Sequence, residues 1–207
     1  LRTPERLTSS DLCNQAALNA QGEYLLLLRA EVAVLDAGWL DALMNHALRP
    51  EVGAVGPRLV DSDGKITHAG LVLGLRGPAS SPFVGEAADA PGYMQRLQVD
   101  HNPSALGDAC LLVRKSVYID LGGLDAVALD GEAAVVDFCL RLADSGHLLV
   151  WTPSATLLYA REQGGMTVEV EDALYQRWLP RLARDAAYNA NFSLVRKGGF
   201  QLTDPQI

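Results

Sequence analysis

The stretch "YLLLLRAEVAVLDAGWL", Tyr24 to Leu40, decides the fold. It opens as a buried strand of four leucines, turns sharply polar at Arg29, Ala30 and Glu31, and then enters a helix. Open α/β sheets hold ligands beyond the carboxyl ends of buried parallel strands, so the tripeptide after Leu28 is where chemistry is expected. An ordinary polar turn has the same appearance.

Working outward, "SSDLCNQAALNAQG" carries serine caps, helical spacing of Leu12, Ala16 and Ala17, and a closing Gly22, which predicts a helix feeding the strand. Asp36 is expected to cap the next helix, with Trp39, Leu40, Leu43 and Leu48 on one side and Pro50 as its stop. "VGAVGPRLV" predicts a short buried strand, and the Asp-Gly turn in "DSDGKI" predicts a hairpin between Val55 to Val60 and Ile66 to Leu75. From Gly77 to Tyr93 the composition shifts to Gly, Pro, Ala and Ser, which predicts a mobile functional loop or a disordered one. "ACLLVRKSVY" reads as a strand running into a short helix ended by Gly122 and Gly123. "GEAAVVDFCLRLADSG" is a helix burying Val135, Val136, Cys139 and Leu140, with Asp137 and Arg141 one turn apart and Gly146 as its stop. "HLLVWTP" is the strand after it. A last helix, Val168 to Ala183, precedes a polar tail with scattered apolar anchors.

With 207 residues, 49% of them hydrophobic and 20% charged, the chain can bury a sizeable core, and a single unit is expected. A formal net charge of -8 argues against nucleic acid or an anionic membrane as partner, because both require a dense basic face. Cys13, Cys110 and Cys139 stand singly in apolar runs and read as buried thiols in a reducing compartment. No apolar run approaches the roughly 18 residues of a membrane span, so the expected location is cytoplasmic, with peripheral membrane attachment as the variant. Phosphate-loop, dinucleotide, serine-hydrolase and zinc-protease motifs are all absent. The four histidines, His46, His68, His101 and His147, share no metal-ligand spacing; His68, beside Gly70, is the one set apart from a structural role. Asp61 and Asp63 suit either a cation or a turn, and Arg114 and Lys115 either a phosphate or a solvated helix start.

The segments "GEYLLLL", "DAGWLDAL", "EVGAVGPRLV" with "DGKITHAGLVLGL", "ACLLVRKSVYIDLGGLDA", "VDFCLRLADSGHLLVWTPSATLLY" and "RDAAYNANFSL" stand in the order and spacing of family 2 glycosyltransferases. The chain resembles most the bacterial members that build rhamnose-type or O-antigen polysaccharides. The resemblance implies an α/β, partial GT-A (nucleotide-diphospho-sugar transferase) fold, a mixed sheet flanked by helices, entered after the N-terminal strands that hold the nucleotide. It implies a glycosyltransferase-like domain over 1–165 and a C-terminal helix and tail over 166–207. Its partners would be a nucleotide-sugar and a glycan or lipid-linked acceptor. In the family the strand corresponding to Tyr24 to Leu28 runs into an Asp-x-Asp motif that holds Mg²⁺ or Mn²⁺ on the donor diphosphate. That motif aligns with Arg29, Ala30 and Glu31, which leaves Glu31 as the sole metal candidate and no cofactor expected for this chain. The family's general base aligns with Val135, with Asp137 retained beside it, and a histidine that assists the metal aligns with Ala160. His68, Asp108 and Arg114 would lie on the acceptor side.

Two functions follow. One is a transferase with relocated acids, Glu31 and Arg29 handling the diphosphate and Asp130 or Glu132 acting as base. The other, slightly favoured for the isolated chain, is a non-catalytic module that binds glycan or a partner enzyme. Three further expectations accompany them: no useful nucleotide-sugar affinity in the isolated chain, an exposed sheet edge at Tyr24 to Leu28 that favours a homodimer or attachment within a larger polypeptide, and weak pyrophosphate binding at Arg29.

Overall fold

The leucine run forms the end of a sheet. In the computed structural model, which describes residues 7–160 and 166–203, helix α1 (Ser9–Asn19) leads into strand β1 (Tyr24–Leu28). An apolar strand has to hide both faces, and alternation achieves it. Leu25 and Leu27 pack into one core with Ala17 and Tyr118, whereas Tyr24 and Leu26 pack into a second built around Leu43. There follow β2 (Ala33–Val34), α2 (Trp39–Ala47), β3 (Val52–Val60), β4 (Ile66–His68), β5 (Val72–Leu73) and β6 (Ala79–Ser80). After them come β7 (Cys110–Arg114), α3 (Lys115–Asp120), α4 (Gly131–Asp144), β8 (Leu148–Leu158) and α5 (Val168–Leu182).

The main sheet runs β1-β7-β3-β8-β2, with β4 beside β3, and β5 and β6 form a separate two-stranded ribbon. Among the described residues only β3 and β8 pair in parallel. β1 pairs with β7 antiparallel from Tyr24↔Arg114 to Leu28↔Cys110, so the parallel strand expected there is antiparallel, while the expected edge position holds. The hairpin at the Asp-Gly turn forms between β3 and β4, shorter than expected on its second arm.

Three local expectations are corrected. Thr8, not a serine, caps α1: its hydroxyl accepts from the Asp11 amide at 3.1 Å and the Asp11 carboxylate accepts from the Thr8 amide at 3.0 Å, a closed capping box. Helix α2 buries Leu43 and Ala47 with Trp39, Ala42 and Met44 at its margins, while Leu40 and Leu48 face solvent. The stretch Gly77 to Tyr93 is packed, because Ser81 and Phe83 are buried and the chain bonds back to β4 through Gly85 N to Ile66 O at 2.8 Å and Ile66 N to Glu86 O at 2.7 Å.

The tail explains that packing. Phe200 stacks on Phe83 with centroids 5.0 Å apart and on Tyr93 at 5.3 Å, and Phe192 meets Tyr93 edge-on at 5.0 Å. The last helix is fixed to α4 by Asp137, which is fully buried and accepts from Arg141 Nε at 2.8 Å, Arg177 Nη1 at 2.7 Å and Trp178 Nε1 at 2.9 Å. The expected division after residue 165 lies outside the described residues. Among the described residues no helix is long and apolar enough to cross a membrane.

Candidate functional site

Where β1 ends, the ladder continues for one more bond: the Arg29 amide donates to Ala109 O at 3.0 Å. That bond sets Arg29 beside the residue preceding Ala109. Its guanidinium lies against Asp108, Nη2 at 3.2 Å and Nε at 3.3 Å from Oδ2, with both side chains mostly shielded at 27% and 17% exposed. The chain then turns, Val32 N donating to Arg29 O at 3.2 Å, and Ala30 and Glu31 lie exposed on the turn.

The start of α4 completes the cluster. Glu132 stands in its first turn, and its carboxyl is raised to about 7, chiefly by burial, further by Asp108, and against the opposing pull of Arg29. Val135, the position that the resemblance gives to the base, is buried one turn further along the same helix face. Asp130 is otherwise engaged. Its Oδ1 accepts from Ser9 Oγ at 2.6 Å and from Ser10 N and Oγ at 3.1 Å each, at the amino end of α1. Burial alone would raise the Asp130 carboxyl, but the hydrogen bonds from Ser9, Gly131 and Ser10 together bring it below the usual carboxylate value. Asp130 thus anchors α1 as an ionised acceptor, which leaves Glu132 as the acid suited to take a proton. The half-buried Cys13 thiol beside the cluster is pushed up, first by burial and then by Asp130, which disfavours its thiolate.

Of the other expected residues, Asp137 has both oxygens occupied in the core and holds helices together rather than facing a ligand. Arg114 is at the opposite end of the β1/β7 pair from Arg29, its guanidinium 4.9 Å from the Tyr24 ring centroid and 3.2 Å from Ala47 O, so it does not join Asp108. His68 is buried, and burial lowers it to about 4, so it is neutral. Its Nδ1 accepts from Gly70 N at 3.3 Å, and its Nε2 has no partner among the described residues and lies against Gly107. Any side chain at Gly107 would collide with that nitrogen, so glycine is what lets the chain reach Asp108 here. Ala160 follows β8 at the surface and borders a cleft of about 400 Å³.

A divalent cation does not suit this arrangement. The first ligand position carries a cation already paired with Asp108, and among the described residues no three His, Cys, Asp or Glu side chains converge to hold an ion. Manganese titrated into the protein is expected to give no proton relaxation enhancement from this turn. Enhancement that vanishes in Glu31→Ala would overturn that expectation.

No protein-family model matches the chain. It is 34% identical over 193 residues to the O-antigen biosynthesis protein RfbC of Myxococcus xanthus, a match covering 88% of this chain and 15% of that protein. It is also 34% identical over 140 residues to an N-acetylglucosaminyl-diphospho-decaprenol L-rhamnosyltransferase of Mycobacterium tuberculosis (strain ATCC 25618 / H37Rv), covering 62% of this chain and 45% of that protein. The chain therefore spans less than half the length of either relative. Among solved structures, it is similar in fold to GalNAc-T7 with UDP, GalNAc and Mn²⁺, with a TM-score of 0.64 at 14% identity over 88% of this chain and 37% of that one.

Proposed function

We propose, from the premise that this chain belongs to the family 2-like glycosyltransferases and carries part of their GT-A fold, that it serves transfer of a sugar from a nucleotide donor to a glycan or lipid-linked acceptor in surface polysaccharide assembly. One observation carries the chemistry: a half-buried glutamate, Glu132, raised to about 7 and set one helical turn before the buried Val135. A base acts best when its pKa lies near the working pH, because it is then both ionised and basic enough to take a proton. In the reaction the acceptor oxygen attacks the anomeric carbon, the bond from that carbon to the diphosphate breaks, and the acceptor proton passes to Glu132. The diphosphate leaves with the bonding pair. Arg29, steered by Asp108, stands at the position from which its charge would be met.

The test is transfer of label from UDP-, GDP- and dTDP-sugars to lipid-linked acceptors by the protein at its full natural length. The expected rate rises with pH through about 7, where Glu132 loses its proton. A second reading, a glycan-binding module without catalysis, is favoured by the same Arg29 to Asp108 pair, which cancels charge at the diphosphate position. Donor binding without transfer at any pH would decide for that module.

A further inference from the structure

We propose that the cleft of about 400 Å³ bordered by Ala160 is a subsite for the phosphate charge of the acceptor, held by Arg76 and Lys197. The two cations reach the cleft from separate segments that the fold ties together. The Arg76 amide donates to Leu194 O at 2.8 Å, and the Phe83 amide donates to Gly198 O at 2.9 Å, so the turn carrying Lys197 is stitched along the β5/β6 ribbon. Neither side chain has an ion pair or hydrogen bond among the described residues, although acids outnumber Lys and Arg by 25 to 17. In a chain with that excess of acid, two unpaired cations on one concave surface are an arrangement that a bound anion would satisfy.

Backbone conformation adds a second, independent point. Arg76 has φ 54, a left-handed conformation uncommon for a residue with a long side chain, and it is kept by its amide bond to Leu194. Arg76 lines the cleft in this conformation. The rest of the lining suits a sugar next to the anion. Asp61 has only Oδ1 engaged, by the Asp63 and Lys65 amides at 2.9 Å each, and Ser80 adds a hydroxyl. Thr67 spends its own hydroxyl on Tyr159 O at 2.8 Å, which closes the wall near the end of β8. The fitting ligand is a diphosphate with a sugar attached, its charge on Arg76 and Lys197 and a sugar hydroxyl on Asp61. Ala160, at the position that the resemblance aligns with the family's metal-side histidine, lines this cleft.

The assignment to the acceptor, rather than to an anion of another origin, rests on the sugar-transfer reading; the anion site does not. Calorimetric titration of the full chain with inorganic pyrophosphate is expected to show binding that weakens about tenfold in Arg76→Gly and in Lys197→Gln, the loss typical of one charged hydrogen bond. Added salt should weaken it further. Arg76→Gly keeps the left-handed backbone without strain, so its loss would not be a folding effect. Pyrophosphate that does not bind, or that binds equally to both variants, would overturn the site. UDP binding that falls in parallel in the same variants would overturn its assignment to the acceptor. Transfer that fails while these titrations succeed would count against the proposed function alone.

Discussion

Asp137→Ala is expected to cost about 3–5 kcal/mol of stability, the loss typical when one partner of a buried charge network is removed. The side chain is 0% exposed and supplies the shared acceptor for Arg141, Arg177 and Trp178. Without it two guanidinium groups face each other across the α4/α5 contact and an indole N–H is left unsatisfied. Arg141 retains Leu121 O and Gly123 O, and Arg177 retains Asp125, so the surroundings are held in place and cannot easily collapse into the gap. For a chain of this length thermal unfolding should move down by roughly 10 °C. Asp137→Asn should fall between, since its amide oxygen can still serve Arg177 and Trp178 while its NH₂ opposes Arg141 Nε. A melting temperature unchanged in Asp137→Ala would show that the network adds no net stability.

Glu132→Gln should act on stability and transfer in opposite directions. Between its unfolded value of 4.5 and about 7 the folded protein keeps a proton on Glu132 that the unfolded chain releases, so folding stability falls as pH rises through that window. Above it the half-buried carboxylate costs on the order of 3 kcal/mol. The glutamine variant avoids that cost and is expected to be more stable than the parent at pH 8 by about that amount, with the difference gone below pH 4. Transfer by the full-length protein should fall by about 10²–10⁴, the usual contribution of a general base, and its rise through neutral pH should vanish. Unchanged transfer would remove Glu132 from the mechanism. Equal stability at pH 8 would show that burial does not hold its carboxyl up.

Much of the fold was legible because its signals are local. The leucine run of β1, the turn between β3 and β4, and the apolar spacing of α4 and α5 each lie within a few residues of chain. The face of α2 is not legible locally because Leu40, Leu43 and Leu48 are equally apolar, and only the position of β3 and β8 decides that Leu43 goes inward. The segment from Gly77 to Tyr93 looked mobile because its partners, Phe192 and Phe200, lie about a hundred residues on in a tail that reads as polar. The site divides in the same way. Arg29 and Glu132 were visible as unusual residues at an expected place, but the choice of Glu132 over Asp130 depends on Ser9 and Ser10, and the partner of Arg29 is Asp108. Arg114 stood out only as a charge ending a strand, and strand register, which no local pattern contains, puts it at the far end.

Register also governs how this sequence can change by descent. β1 and β7 match residue for residue over five positions and the Arg29 to Ala109 bond extends the ladder, so the register holds position 29 one residue from 108 on the opposite strand, and each is the other's mutational context. Arg29→Asp, with nothing else altered, would turn one cation and two acids into carboxylates at 29, 108 and 132 around one shielded point. Such a group would have to capture a cation or retain protons to stay folded. A lineage passing between cation-dependent and cation-free forms therefore crosses that boundary at a single residue, and the substitution that crosses it selects for compensation at position 108 in the generations that follow.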